Sequence, residues 1–438
     1  MIDFTRRATG RLEQHPLRFR LNNEIHARPP VALEDPQLIS YLAITHRGVS
    51  AREELDHLRE LGQAFAKPLP ETEGEHLILD LDTFRLKWER HTEFSSYTFF
   101  RAPRAGDDPT RGALSAVSQE WIANIPGSLL VSTHIELRSA AEVPPATVMK
   151  QLSAASSRQL VASQVADGAA WVFTDFLLTD GWSRFMVIDS SLTARQAGRT
   201  VQRLLEIETY RMTALLAFPV AKEVGALLTR AEGELADLMD QMGGDGNPGD
   251  ERDLLSRLTR LAAEVERSVA RSTYRFGAAA AYYRLVEQRI DELREQRLTG
   301  LPTIREFMDR RLAPAMSTCA AIARRQEDLS GRVARNSQLL RTRVDIELQR
   351  QNQELLAQMN RRARLQLRLQ QTVEGLSVVA ITYYASQLVN YMAKGAKGLL
   401  GPLTPEVITA VSIPVIAGVV ALGLKRMHRL LAEDEDGH

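Results

Sequence analysis

The sequence predicts a mixed α/β domain followed by long helices with coiled-coil character and a C-terminal two-helix transmembrane hairpin. Three observations carry that reading. Short β-rich runs alternate with helical patterns before residue 190. An apolar stripe recurs at helical spacing through an arginine-rich segment beyond residue 303. Two uncharged, mostly apolar runs lie close together near the C-terminus. At 438 residues the chain exceeds one ordinary domain. The boundaries expected are an α/β domain over 1–192, a helical domain over 193–300, a stalk helix over 301–374, a hairpin over 375–425 and a tail over 426–438.

In the first domain, Leu38–Thr45 reads as a strand and Ser50–Ala66 as a helix. His76–Leu81, Thr83–His91 and Ser96–Arg101 read as strands, and a helix is expected near Ser115–Ala123. Leu129–Leu137, Ala169–Leu178 and Arg184–Asp189 are strands again. β-branched and aromatic enrichment with period-2 alternation is the signal in each. The mixture, with hairpin-like spacing in places, points to a mixed sheet.

Two polar clusters in this domain invite a site. Glu24, His26 and Arg28 form the first; Lys87, Glu89, His91 and Glu93 form the second. Histidine beside carboxylate suits metal binding or proton transfer. Alternation along a strand would set Lys87, Glu89, His91 and Glu93 on one face and Trp88, Arg90 and Thr92 on the other. Neither cluster has zinc-type spacing, and the chain holds no Gly-rich phosphate loop and no nucleophile elbow. The favoured reading is therefore a set of structural or ligand-contacting polar groups, with no catalytic residue, no metal site and no cofactor. An enzyme is not expected.

Ala194–Phe218, Ala221–Met242 and Glu251–Arg297 read as helices. The Gly- and Asp-rich stretch 243–250 between the last two lacks EF-hand spacing and reads as a turn. In the stalk, Leu329, Val333, Leu340, Val344, Leu348, Leu355 and Met359 recur at spacings that build one helical stripe, the pattern of a self-associating helix. Arginines outnumber acids by about two to one from Arg305 to Arg368. They are interleaved with Gln, Asn, Glu and Asp around the stripe, which is the pattern of a solvated face. Net charge is zero overall, so nucleic acid is not an expected partner. The single cysteine, Cys319, excludes an internal disulfide and fits a reducing compartment.

Gly375–Ala393 and Val407–Leu424 carry no charge. Each approaches the roughly 20 residues that cross about 30 Å of hydrocarbon. The connecting segment, Lys394 to Glu406, is rich in helix breakers. Arg361, Arg362, Arg364 and Arg368 precede the first run, and Lys425, Arg426 and Arg429 follow the second, whereas the turn holds only Lys394 and Lys397. By the positive-inside rule both termini are expected in the cytoplasm, and the N-terminus shows no signal-peptide h-region. The location expected is a bacterial inner membrane, with a multi-pass topology and the lipid bilayer as partner. Ser377, Thr382, Ser386, Gln387 and Asn390 make the first run polar for an anchor; helix contact is the favoured role and pore lining the sharper alternative.

Four stretches carry a resemblance. They are His15-Pro16-Leu17-Arg18 with Asn23 to Pro29, Lys87-Trp88-Glu89-Arg90-His91-Thr92-Glu93-Phe94, Tyr274-Arg275-Phe276-Gly277 with Tyr282-Tyr283, and Leu365 to Ser377. Together they resemble a bacterial family of uncharacterised membrane-anchored proteins, domain of unknown function 3422. The resemblance implies membrane anchoring and supplies no activity. More distantly, the layout is similar to that of CorA-type divalent-cation channels, which join a cytoplasmic α/β domain, a stalk helix, two spans and a basic end. The Gly-Met-Asn signature of those channels is replaced by Asn390-Tyr391-Met392-Ala393-Lys394-Gly395, and Lys394 would repel a cation at the mouth. The expected function is a non-catalytic membrane-anchored protein whose body binds an unknown small molecule or partner. A homo-oligomeric ion channel is the alternative.

Overall fold

The computed structural model describes residues 15–19, 21–22, 29–69, 74–105, 111–155, 160–242, 248–395 and 404–435. Of the first polar cluster, Glu24, His26 and Arg28 lie outside the described residues.

Nine strands form one mixed sheet in the order β2-β3-β4-β1-β5-β8-β7-β6-β9. They are β1 (Gln37–Thr45), β2 (His76–Asp80), β3 (Arg85–Arg90), β4 (Phe94–Arg101), β5 (Ser128–Ser139), β6 (Val161–Val165), β7 (Ala170–Thr174), β8 (Ser183–Asp189) and the two-residue β9 (Gln296–Arg297). All neighbours pair antiparallel except β5 and β8, which run parallel. The chain reaches β8 from β5 through a helix, α3 (Pro145–Ala155), and the β6–β7 hairpin.

Two layers of helix cover this sheet. On one face α1 (Ala51–Ala64) and the short α2 (Gln119–Ala123) pack over β1 to β4, with Leu58, Leu61, Trp88, Tyr97, Phe99 and Trp121 in a single apolar cluster. Strand alternation explains the selection, because Leu86 and Trp88 of β3 and Tyr97 and Phe99 of β4 all point to that side. Burying each such side chain contributes about 1.5–3 kcal/mol. On the other face lies α4 (Ala194–Leu215), which buries Val201, Leu204, Leu205 and Ile207. A reciprocal cap opens α4: the Thr193 hydroxyl accepts from the Gln196 backbone, and the Gln196 side chain accepts from the Thr193 backbone. The same device, Ser50 with Glu53, starts α1.

Helices α5 (Ala217–Met242) and α6 (Pro248–Leu293) follow, then α7 (Ile304–Arg311) and α8 (Ala313–Gly395). The expected stalk is thus divided. Leu312 caps α7, and Pro314 sits in the first turn of α8, where its missing N–H costs nothing. The chain separates into two compact units, one of residues 1–245 with 254–337 and one of 246–253 with 338–438. In the first unit, α8 packs on α5 and α6: Arg325 Nε donates to Glu232 at 2.7 Å, and Gln326 bridges buried Ser268 and Ser272. That carboxylate titrates below its ordinary range because Arg325 holds it through hydrogen bonds.

The stripe read from the sequence also divides. Leu329, Val333 and Leu340 are buried in the chain's own core, Leu340 to 1 % exposure, whereas Leu348, Leu355 and Met359 are exposed. In the second unit α8 continues as helix to Gly395, and α9 runs from Pro405 to Glu435 with Pro414 inside it. Val407, Val411, Val415, Val419 and Leu422 of α9 are exposed.

Among the described residues, two helical segments are long and apolar enough to cross a membrane, Ala194–Met242 and Pro405–Arg426. The first is α4 and α5, whose apolar faces bury Leu204, Leu228 and Leu235 in the body. The most apolar 18 residues of the second have a mean hydropathy of 2.4, and none of them is buried by the protein. The Gly375–Ala393 run is helical but falls short of that hydropathy, because Ser377, Thr382, Ser386, Gln387 and Asn390 dilute it. A C-terminal apolar helix is therefore clear, and the first of the two expected spans, the more polar one, does not qualify by hydropathy.

Candidate functional site

Between the sheet and α4 lies a cavity of about 280 Å³. Its sheet wall follows from register. Lys87 pairs with Thr98, and Thr98 with Tyr41; Glu89 pairs with Ser96. Side chains paired across neighbouring strands share a face, so one polar row runs across β3, β4 and β1 on the side opposite Trp88. Helix α4 supplies Gly198, Gln202, Glu206, Thr209 and Tyr210, and α6 supplies Arg289. Phe94 and Phe100 add apolar surface.

Charge in the cavity is compensated in pairs. Lys87 Nζ lies 2.9 Å from Glu89 Oε1, with Lys87 only 4 % and Glu89 only 9 % exposed. Arg289 Nε donates to Glu206, and the other guanidinium branch donates to Glu292 at 2.9 Å. Gln202 Nε2 donates to the second oxygen of Glu206 at 2.7 Å. Its carbonyl oxygen is buried and has no hydrogen-bond partner among the described residues. A buried acceptor left unsatisfied costs about 1–3 kcal/mol, which marks the point where the cavity lacks a donor. The hydroxyls of Tyr41 and Thr209 meet at 2.8 Å. Burial pushes the phenols of Tyr41 and Tyr210 above their ordinary range, so both stay protonated and able to donate.

Of the second polar cluster, Lys87, Glu89 and His91 all line this cavity. Glu93 does not join them. Strand β3 ends at Arg90, and His91 to Glu93 form the turn into β4, so period-2 alternation stops before it reaches Glu93. Glu93 instead takes a bidentate ion pair from Arg275 of α6, at 2.8 and 3.0 Å. Burial, then the nearby Glu93 carboxylate, raises the phenol of Tyr282 above its usual range. Two of the stretches that carried the resemblance, separated by about 180 residues, therefore meet in one ion pair. On the far side of the sheet Trp88, Arg90 and Ser95 all donate to Glu54, which is fully buried.

Sequence reasoning missed Tyr41, Thr98, Gln202, Glu206, Thr209 and Arg289. Gln202, Glu206, Thr209 and Tyr210 recur at intervals of four, three and one, a polar stripe along a helix that buries much of its remaining surface. That spacing is the one available signal, and it is shared by any solvated helix face. Among the described residues no group of three or more His, Cys, Asp and Glu is placed to hold a metal ion.

In the second unit, Ser377 and Ser386 hydroxyls donate to carbonyls of their own helix, Val373 and Tyr383. The Thr382 hydroxyl is buried without a partner among the described residues. Gln387 and Asn390 are half-buried. Thr382, Ser386 and Asn390 follow one another at i+4 and so share a face.

No curated protein matches the chain. The model of a family described as protein of unknown function, DUF3422, matches residues 13–431, and the chain belongs to that family.

Proposed function

We propose that the chain is a non-catalytic membrane-anchored protein, in which the α/β body binds a small ligand and the C-terminal helices hold it in the bacterial inner membrane, both ends cytoplasmic. One observation carries the anchoring. The most apolar 18 residues of the Pro405–Arg426 segment have a mean hydropathy of 2.4 and are left unburied by their own chain. Each large apolar side chain held in water forgoes about 1.5–3 kcal/mol, and a bilayer removes that cost for all of them at once. Exposed Tyr391, near the end of the Gly375–Ala393 run, suits the headgroup level, where amphipathic rings concentrate. A binding role for the body is supported by the cavity's carboxylates, each already engaged by a cation.

Membrane fractions washed at alkaline pH test the anchor. The full chain is expected in the pellet, and the Val415→Asp, Val419→Asp double variant in the supernatant, since each aspartate at a span centre costs about 2.5–3.5 kcal/mol. Recovery of the unsubstituted chain in the wash overturns the reading.

A second reading is favoured by the face that holds Thr382, Ser386 and Asn390: an oligomer in which this polar strip lines a water-filled path. The exposed part of the stalk stripe would join the copies. Leu348→Asp is expected to lower the native mass in detergent; Leu340→Asp is no test of assembly, because Leu340 belongs to the chain's own core. Absence of ion flux in liposomes carrying the unsubstituted protein removes the channel reading.

A further inference from the structure

We infer that the cavity between the sheet and α4 takes a neutral polyhydroxy compound of about monosaccharide size; this rests on reading that cavity as the ligand site. The first ground is charge. Lys87 is matched by Glu89 and Arg289 by Glu206, each in contact, so the cavity carries no spare charge from these groups. An anion would have to draw Lys87 from Glu89, and a divalent cation would have to displace it. Either leaves a buried charge without its partner, at a cost of about 3–5 kcal/mol. A neutral ligand meets no such cost.

The second ground is the hydrogen-bond inventory. Gln202 presents a buried carbonyl oxygen with no donor among the described residues. Lys87 Nζ has three donors and Glu89 two oxygens, and their mutual contact uses one of each. The ammonium donates to one hydroxyl and the adjacent carboxylate accepts from its neighbour without the pair parting, which is the pattern a vicinal diol satisfies. A third hydroxyl would donate to Gln202, with the Thr98 hydroxyl beside the pair on the same row. The third ground is apolar surface. Phe94 and Phe100 flank the polar row and offer faces for the C–H groups of such a compound. The volume, about 280 Å³, is small for a drug-sized ligand and suits a single ring.

Calorimetric titration of the detergent-solubilised full chain tests this with D-glucose and myo-inositol as neutral probes and inorganic phosphate, magnesium chloride and glycine as charged ones. Saturable binding of a neutral probe, weakened at least tenfold by Gln202→Leu and by Thr98→Val, is the expected result. Both variants keep all four members of the two ion pairs, Thr98→Val without touching either and Gln202→Leu at the loss of one donor to Glu206, and their native tryptophan fluorescence checks the fold. Neutral binding that ignores both substitutions overturns the inference. So does binding of phosphate, magnesium or glycine that depends on Gln202 or Thr98, which would leave the cavity a ligand site of another chemistry. No binding by any probe overturns the inference and the ligand-site reading together.

Discussion

Glu54→Ala is expected to cost the α/β body about 3–5 kcal/mol, because it takes a fully buried carboxylate from a half-buried guanidinium and from two neutral donors at once. Glu54 is fully buried, and its two oxygens take Trp88 Nε1 at 3.2 Å, the Ser95 hydroxyl at 2.7 Å and the Arg90 guanidinium. Arg90 also reaches the Val49 carbonyl at 2.9 Å and His46 Nδ1 at 3.4 Å, and neither of these carries the carboxylate's charge. Through these contacts Glu54 ties α1 to β3 and β4, so its loss loosens the helix layer opposite the cavity. Glu54→Gln retains one acceptor and is expected to lose less, about 1–3 kcal/mol. The double change Glu54→Ala with Arg90→Ala is expected to cost at least about 1 kcal/mol less than the sum of the single changes, since the partners share one network. The measurement is convenient: Trp88, Trp121, Trp171 and Trp182, the only tryptophans, all lie in this body. Tryptophan fluorescence during urea unfolding of the full chain therefore reports its transition. Additive single and double costs would show that Glu54 and Arg90 act independently.

The alternation Lys87-Trp88-Glu89-Arg90 was legible because a strand buried on both faces must sort its side chains by a period of two. Trp88 and Arg90 duly share the face that holds Glu54, and Lys87 and Glu89 the face that holds the cavity. The point where the strand stops was not legible. His91 and Thr92 carry no breaker, and only the turn geometry into Phe94 takes Glu93 off the face and delivers it to Arg275. Long separations hid the rest: nothing in the spacing of Gln202, Glu206 or Arg289 tells that they meet a strand residue numbered 87. Helix α3 and strand β6 escaped notice because the stretch from Ala140 to Val165 mixes Ala, Ser, Pro and Gln without a sustained run of either period. The stalk shows the same limit. Its stripe is continuous in sequence, yet Leu340 is covered and Leu348 is not, because burial depends on where neighbouring helices end. The polar first run was readable as polar, and the hydropathy that counted it as a full span was not there.

Gly198→Ala is expected to destabilise the body by about 3 kcal/mol and to distort the cavity, an effect larger than glycine's intrinsic helix penalty and of opposite sign. In α4 a glycine is a weak choice on propensity alone, since alanine is favoured by about 1 kcal/mol in a helix interior. Here the packing reverses the preference. A Cβ at position 198 would lie 1.8 Å from the carbonyl oxygen of Val31 and 2.9 Å from its carbonyl carbon. Both are backbone atoms, so no rotamer change relieves the clash. The segment must move off the helix, and the Leu33 N–H bond to the Ala194 carbonyl, 2.9 Å, goes with it. Val31 and Gly198 both line the cavity, so the same displacement opens the wall that faces Gln202. Gly277 in α6 is the control. It too stands inside a long helix, but a Cβ there meets nothing within 4 Å. Gly277→Ala is therefore expected to leave stability unchanged or to raise it by up to about 1 kcal/mol. Urea midpoints for the two variants, read by tryptophan fluorescence and by helical circular dichroism, should fall on opposite sides of the unsubstituted protein. Equal midpoints would mean that the Val31 segment yields freely, and the close approach to α4 of the segment leading into β1 would then play no part in shaping the cavity.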